Sequence, residues 1–184
     1  MQTSNLADLP DNHQHRTIAT ALSFVGDFTL ALDCGAHRGT VTAQLLRRFS
    51  FVVAIEPSEL AQRIPKGARV IQAALGDKPG HCSMKHGTEN TGQRHVVEGA
   101  DTPVITIDSL GLSPTFIKLD VEGMEWHAIK GAEQTIKQFK PVIMLEENGL
   151  NRRYGVPDGE TGRLLESWGA VRVAVCNKDW IYKW

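Results

Sequence analysis

The chain has 184 residues, 41% hydrophobic and 22% charged, with a formal net charge of −1; this is the balance of a globular protein long enough to bury a core. Its basic residues are scattered rather than blocked, which speaks against nucleic-acid or membrane-surface partners, and no apolar run reaches the ~20 residues that cross a bilayer. The cysteines Cys34, Cys82 and Cys176 are odd in number and form no CxxC pair, which argues against a disulfide framework or a structural zinc site.

Residues 1–10 are polar and lack the basic-then-apolar build of a secretory signal. The expectation is one domain over residues 1–184 in a reducing, cytoplasmic compartment, with 1–27 a short N-terminal segment. The first strand is predicted over 28–33. The turn Asp33-Cys-Gly-Ala-His-Arg-Gly39 follows and opens a helix over 40–49, on which Val41, Leu45 and Phe49 share a face. The apolar run Phe51–Ile55 reads as a strand covered on both sides. A short helix follows over Glu59–Arg63, then a third strand over 69–75 closed by Gly76. Residues 78–101, rich in Gly, His, Thr and Asn, read as an irregular insertion or hairpin. Strands are predicted at 103–107 and 115–120, then one unbroken helix at 124–139 with Trp126, Ile129, Ile136 and Phe139 on one stripe. A strand at 141–146, a polar loop at 148–158, a helix at 160–168 and a hairpin of strands 171–176 and 180–184 finish the chain.

Repeated strand–helix–strand units predict an α/β fold: a mostly parallel sheet with right-handed crossovers and helices on both faces. Ligands bind such sheets beyond the carboxyl ends of the strands, at the switch point. Those ends carry Asp33, Glu56, Leu75, Asp120 and Glu146, four of them acidic.

The turn after the first strand marks a nucleoside cofactor. Glycines there let backbone approach a ligand closely, and the helix start offers free N–H donors. Glu56 follows Asp33 by 23 positions, close to the ~20-residue offset of a ribose-binding acid in dinucleotide folds. A carboxylate there accepts from both vicinal hydroxyls. The turn reads Gly35-x-x-x-Gly39, however, and His37 stands where a pyrophosphate-binding turn wants a packing glycine. A cofactor without a pyrophosphate has no such need. S-adenosylmethionine is one, and its cationic end suits an acid-rimmed site.

Leu32-Asp-Cys-Gly-Ala-His-Arg-Gly39, Val53-Ala-Ile-Glu-Pro57, Ala73-Ala-Leu-Gly-Asp77, Phe116-Ile-Lys-Leu-Asp-Val-Glu-Gly123, Lys130-Gly-Ala132 and Pro141-Val-Ile-Met-Leu-Glu146 occur in that order. Together they resemble the FkbM family of S-adenosylmethionine-dependent methyltransferases over residues 30–148. The resemblance implies a Rossmann-like class I methyltransferase fold, with a seven-stranded sheet whose last strand inserts antiparallel. It also implies methyl transfer to oxygen, on a sugar or small-metabolite hydroxyl. The implied cofactor contacts are Asp33, Gly35, Ala36, His37, Gly39, Thr40, Glu56, Pro57, Ala74, Leu75 and Asp120. Two departures stand out. His37 occupies a position where the family often has asparagine, and the segment before the first strand is short, so the acceptor pocket is expected to be open or completed by a partner.

A hydroxyl acceptor benefits from a general base or from a metal that lowers its pKa. Asp120, Glu122 and Glu146 are the catalytic candidates; for Glu122 the alternative role is charge complementarity at the next helix start, and Glu146 is expected to be buried with a raised pKa. Asp120, Glu147 and Asn148 form an oxygen set that suits Mg²⁺. His81, His86, His95 and His127, with Arg152, Arg153 and Tyr154, are candidates to touch the acceptor. Asp120-Val-Glu-Gly123 replaces an Asn/Asp-Pro-Pro-Tyr turn, which counts against amino-group methylation of DNA bases or glutamine. A non-catalytic cofactor-binding protein on this fold is one alternative. An NAD-dependent oxidoreductase is another, disfavoured by the missing GxGxxG turn and Tyr-x-x-x-Lys pair.

Overall fold

The computed structural model describes residues 13–86 and 94–184; the predicted polar start at 1–10 lies outside the described residues. Helix α1 (His13–Leu22) precedes β1 (Leu30–Cys34), α2 (Thr40–Leu45), β2 (Phe51–Ile55) and a 3-10 helix at Glu59–Arg63. Then come β3 (Arg69–Ile71), β4 (Ala74–Leu75), β5 (Gly80–His86) and β6 (Arg94–Ile105). The second half holds β7 (Phe116–Leu119), α3 (Glu125–Lys130), α4 (Glu133–Phe139), β8 (Val142–Glu146), a 3-10 helix at Leu150–Tyr154, α5 (Glu160–Ser167), β9 (Val171–Cys176) and β10 (Asp179–Lys183).

The main sheet has seven strands in the order β3-β2-β1-β7-β8-β10-β9. Pairings among β3, β2, β1, β7 and β8 are parallel, and β10 runs antiparallel to both β8 and β9. This is the expected mostly parallel seven-stranded sheet with an antiparallel C-terminal hairpin. Strand order reverses between β1 and β7, so the switch-point crevice opens beyond their carboxyl ends.

Period-two alternation sends successive strand residues to opposite faces. Leu30, Leu32, Ile117, Leu119, Ile143 and Leu145 pack with Ala128, Ile129, Ile136 and Leu165 of α3, α4 and α5. Ala31, Val52, Phe116, Val142 and Met144 pack with Ile18 and Leu22 of α1 and Val41 and Leu45 of α2. Both faces are therefore covered, which is why the strands read as unbroken apolar runs.

Three predicted elements differ. The third strand, predicted over 69–75, splits: Arg69–Ile71 pairs with β2, whereas Ala74–Leu75 leaves to pair with β6 in a separate three-stranded sheet of order β4-β6-β5. The strand predicted at 103–107 is the end of a longer strand, β6, which stops at Ile105 and pairs antiparallel with β5, one of the two forms expected for 78–101, with a register break between Cys82 and Ser83. The single helix predicted over 124–139 is two. The Gly131 carbonyl accepts from the Asp108 N–H at 2.9 Å, while the Asp108 carboxylate accepts from the Gln134 and Thr135 N–H groups at 3.1 and 2.8 Å. Asp108 thus caps α4 from outside its own segment, satisfying N–H groups that a continuous helix would pair internally.

Candidate active site

The switch point is built on a charge pair set by strand register. Asp33 of β1 sits opposite Lys118 of β7, so both side chains emerge on the same face. The Lys118 Nζ lies 3.3 Å from Asp33 Oδ1, with the two side chains 4% and 0% exposed. It also donates to the Gly35 carbonyl at 2.9 Å and lies 3.6 Å from Asp120 Oδ2. Burial alone would lower the lysine pKa, but Asp33 and Asp120 outweigh it and hold the ammonium charged. Thr42 of α2 donates to the other Asp33 oxygen at 2.6 Å. Lys118 therefore ties the β1 turn to the β7 exit.

The turn itself is tight. Gly35 has φ 77°, and a Cβ there would lie 1.7 Å from the Asp120 carbonyl oxygen, so only glycine lets the two strand exits approach this closely. Two residues on, His37 is also left-handed at φ 52°, and its N–H donates to Glu56 Oε2 at 2.8 Å. Glu56 Oε1 accepts from the Ser58 N–H and hydroxyl at 3.0 and 2.6 Å. Three donors thus orient the Glu56 carboxylate.

Beyond β7, the chain turns through Glu122 (φ 56°) and Gly123 (φ 102°). Glu125, fully buried at 0% exposure, closes this turn: its Oε1 accepts from the Val121 and Gly123 N–H groups at 2.9 and 3.3 Å. Burial pushes the Glu125 carboxyl up to about 7 against the pull of those bonds. Glu122 is likewise pushed up to about 7, by burial and then by the nearby Asp120 and Glu125. Glu146 rises to about 8, through burial and its contact with Asp120; Asn148 Nδ2 donates to its Oε2 at 2.7 Å.

These shifts have a sign. A carboxyl whose folded pKa is raised stays protonated while the unfolded chain ionises, so its contribution is intact below the unfolded value and lost as pH rises through the folded one. For Glu125 the window runs from 4.5 to about 7 and corresponds to about 3 kcal/mol. Glu125→Gln is therefore expected to unfold at nearly the wild-type temperature at acidic pH. Toward pH 8 it should become the more stable of the two; thermal unfolding of both proteins across this range checks it, and parallel curves would refute the assignment.

A cavity of about 270 Å³ occupies the crevice. Of the predicted cofactor contacts, Gly35, Ala36, His37, Thr40, Glu56, Pro57, Ala74, Leu75 and Asp120 line it, and so does the catalytic candidate Glu122. Asp33 and Gly39 do not. The Asp33 side chain is committed to Lys118 and Thr42, and Gly39 packs against Ile64 and Pro65, so neither is a wall contact as expected; both act through the turn. Glu146 stands behind Asp120 rather than on the wall. Two members of the set proposed for a metal are engaged elsewhere: Glu147 Oε1 accepts from the Gly159 N–H at 2.7 Å, and Asn148 turns to Glu146 and to the Leu150 N–H; among the described residues no group of three His, Cys, Asp or Glu is arranged to hold a metal ion. Nothing supports Mg²⁺.

Sequence reading missed four contributors. Lys118 carries one signal, a lysine inside an otherwise apolar strand. Glu125 carries less, being one acid among three. Met84 and Val96, which close the cavity from the β5–β6 hairpin, carry none, because the pairing that brings them there is not local. Of the loop candidates, Arg153 and Tyr154 stay on this side of the sheet with His81, His95 and His127, whereas Arg152 is turned away into a pair with Asp158. No described helix is long and apolar enough to cross a membrane.

Solved structures share this architecture at low identity. An FkbM methyltransferase from Methylobacillus flagellatus superposes with a TM-score of 0.59 at 22% identity, over 85% of this chain and 43% of its own. The chain thus spans less than half the length of that protein. A precorrin-6y C5,15-methyltransferase from Geobacter metallireducens gives 0.55 at 15% identity, over 98% and 93% of the two chains. A precorrin 8w decarboxylase from Methanobacterium thermoautotrophicum gives 0.54 at 15% identity, over 96% and 92%. No curated protein matches significantly. Residues 33–172 match the Methyltransferase FkbM domain; that stretch contains the β1 turn, Glu56, Lys118 and the acids beyond β7 and β8, and the chain belongs to the FkbM methyltransferase family.

Proposed function

We propose that this protein is an S-adenosylmethionine-dependent methyltransferase, acting on a hydroxyl oxygen of a sugar or other small metabolite. The observation that carries the reading is the placement of Glu56 and Asp120 on the wall of one switch-point cavity. That pair of carboxylate acceptors fits the cofactor. A carboxylate has about four lone-pair directions, and Glu56 uses three on its own chain, leaving one on Oε2 for a ribose hydroxyl. The Asp120 side chain, 33% exposed and steadied by Lys118, suits the cationic methionine end. His37 Nε2 is shielded and has no partner in the described chain, so it has hydrogen-bonding capacity to spare at the centre of the turn.

S-adenosylmethionine, when bound, supplies an electrophilic methyl group. The remaining work falls to this chain's residues. Glu56 and the turn backbone orient the nucleoside, and Met84, Val96 and Met124 exclude water from the cavity. Glu122, at about 7, is poised on the wall to take up a proton near neutral pH. Glu146, pushed up to about 8 beside Asp120, holds the proton that lets the two carboxyls stand together. It acts on the site through Asp120.

Calorimetry with S-adenosylhomocysteine and with NAD tests the reading. S-adenosylhomocysteine is expected to bind, and Asp120→Asn to weaken it about tenfold, ~1.4 kcal/mol, through loss of a charged partner. Binding of NAD without S-adenosylhomocysteine would overturn the proposal.

A further inference from the structure

Met84 and Val96, which close the cofactor cavity, lie on the outer part of the β5–β6 hairpin, and a break in register separates that part from the rest. Cys82 pairs with Thr102, but Ser83 pairs with Val97. Residues 98–101 therefore stand outside the register as a bulge, and a bulge bends the strand that carries it. All of 98–101 are exposed. On the body side of the bulge the hairpin is anchored: Cys82 and Thr102 are buried, and Val104 and Ile105 pair with Ala74 and Leu75 of β4. Beyond it, where 83–86 pair with 94–97, none of the residues described for burial is buried. The bulge is pinned by the Ser83 hydroxyl, which donates to Asp101 Oδ2 at 2.6 Å and leaves no room for a Cβ on Gly99.

Tyr154 ties the outer part to the body of the protein: its hydroxyl donates to the Val96 carbonyl at 3.1 Å. The ring rests on the turn after β7, where a Cβ on Gly123 would lie 3.0 Å from Cε2, and stands edge-on to His127 at 6.2 Å. Burial pushes the Tyr154 phenol above its ordinary pKa, against the pull of Arg153 and of the Val96 bond, so at neutral pH the hydroxyl keeps the proton it donates. Tyr154 is not itself on the cavity wall; Val96 and Glu122 are, and Tyr154 joins the hairpin of the one to the turn of the other. Val96 and Met124 also wall a second groove, of about 660 Å³, that adjoins the cavity. Swinging Val96 outward would join the two spaces and give the crevice a wider exit.

We propose that Tyr154 is a positioning residue, latching the outer β5–β6 hairpin, hinged at 98–101, over the cofactor and so setting how fast the cofactor enters and leaves. The role toward the cofactor rests on the methyltransferase reading; the hinge and the latch do not. Tyr154→Phe tests it, because it deletes the hydroxyl and keeps the ring on Gly123 and His127. Amide hydrogen exchange in the protein without ligand is expected to speed up at 83–86 and 94–97 by roughly fivefold, the worth of one net hydrogen bond, and to stay unchanged at 102–105. Surface plasmon resonance with S-adenosylhomocysteine should show association and dissociation both faster by a similar factor. A latch slows entry and exit alike, so the dissociation constant should move less than either rate, whereas a distorted cavity would raise it through faster release alone. The proposal is overturned if exchange at 83–86 and 94–97 is unchanged, if it rises equally at 102–105, or if S-adenosylhomocysteine binds with wild-type rates or with faster release alone. Failure of S-adenosylhomocysteine to bind either protein would remove the cofactor reading separately, since the exchange measurement needs no ligand.

Discussion

Replacing Lys118 with methionine is expected to destabilise the protein by about 3–5 kcal/mol, because removing one partner leaves an uncompensated buried charge. Methionine keeps most of the stem but deletes the ammonium. Asp33, 0% exposed, would then keep the Thr42 hydroxyl as its hydrogen-bond donor, and the Gly35 carbonyl would lose its 2.9 Å donor. For a chain of this size the unfolding temperature should fall by roughly 6–20 °C. Adding Asp33→Asn to Lys118→Met should recover more than half of the loss, since the double variant buries no lone charge. Denaturant melts of the two single variants and the double variant check this. Additive effects, or a Lys118→Met cost below about 1 kcal/mol, would mean that the pair does not hold the strand exits together.

Gly35→Ala is expected to act on both fold and site. The left-handed φ alone costs an alanine roughly 1–3 kcal/mol. The Cβ would also lie 1.7 Å from the Asp120 carbonyl oxygen and 2.8 Å from its carbon. Both are backbone atoms that cannot swing aside, so overpacking adds a comparable amount. Relief requires β1 and β7 to separate at their carboxyl ends, which displaces Asp120 and the turn backbone. S-adenosylhomocysteine affinity should fall at least about tenfold, ~1.4 kcal/mol. Gly111→Ala is the control: its φ is also positive, at 61°, but a Cβ there meets nothing within 4 Å, so it reports strain without the clash. Equal effects at the two positions would show that the close approach at Gly35 is not what matters.

The parts of this molecule that follow from neighbouring residues could be read in advance. β2 occupies the predicted residues because five successive apolar side chains suit a strand covered on both faces. The β1 turn could be read because its two glycines and Glu56 report local backbone demands. Long-range partners were not legible. The 124–139 stripe has a helical period throughout, yet Asp108, 26 positions before Gln134, takes the N–H groups that would have continued it. Likewise, 69–75 reads as one strand because apolar pattern cannot say that its two halves pair with different sheets.

The sequence by itself determined the alternating α/β architecture, the acidic strand ends and the glycine turn that marks the cofactor crevice, since each depends on residues close together in the chain. Tertiary structure decided what those residues do. Register placed Lys118 beside Asp33 and so withdrew Asp33 from the cavity wall. Packing behind Asp120 pushed the Glu146 carboxyl up, and the β5–β6 pairing brought Met84 and Val96 over the crevice and opened the groove beside it. Burial, charge proximity and strand pairing are properties of chain segments brought together, and none is encoded at any one position.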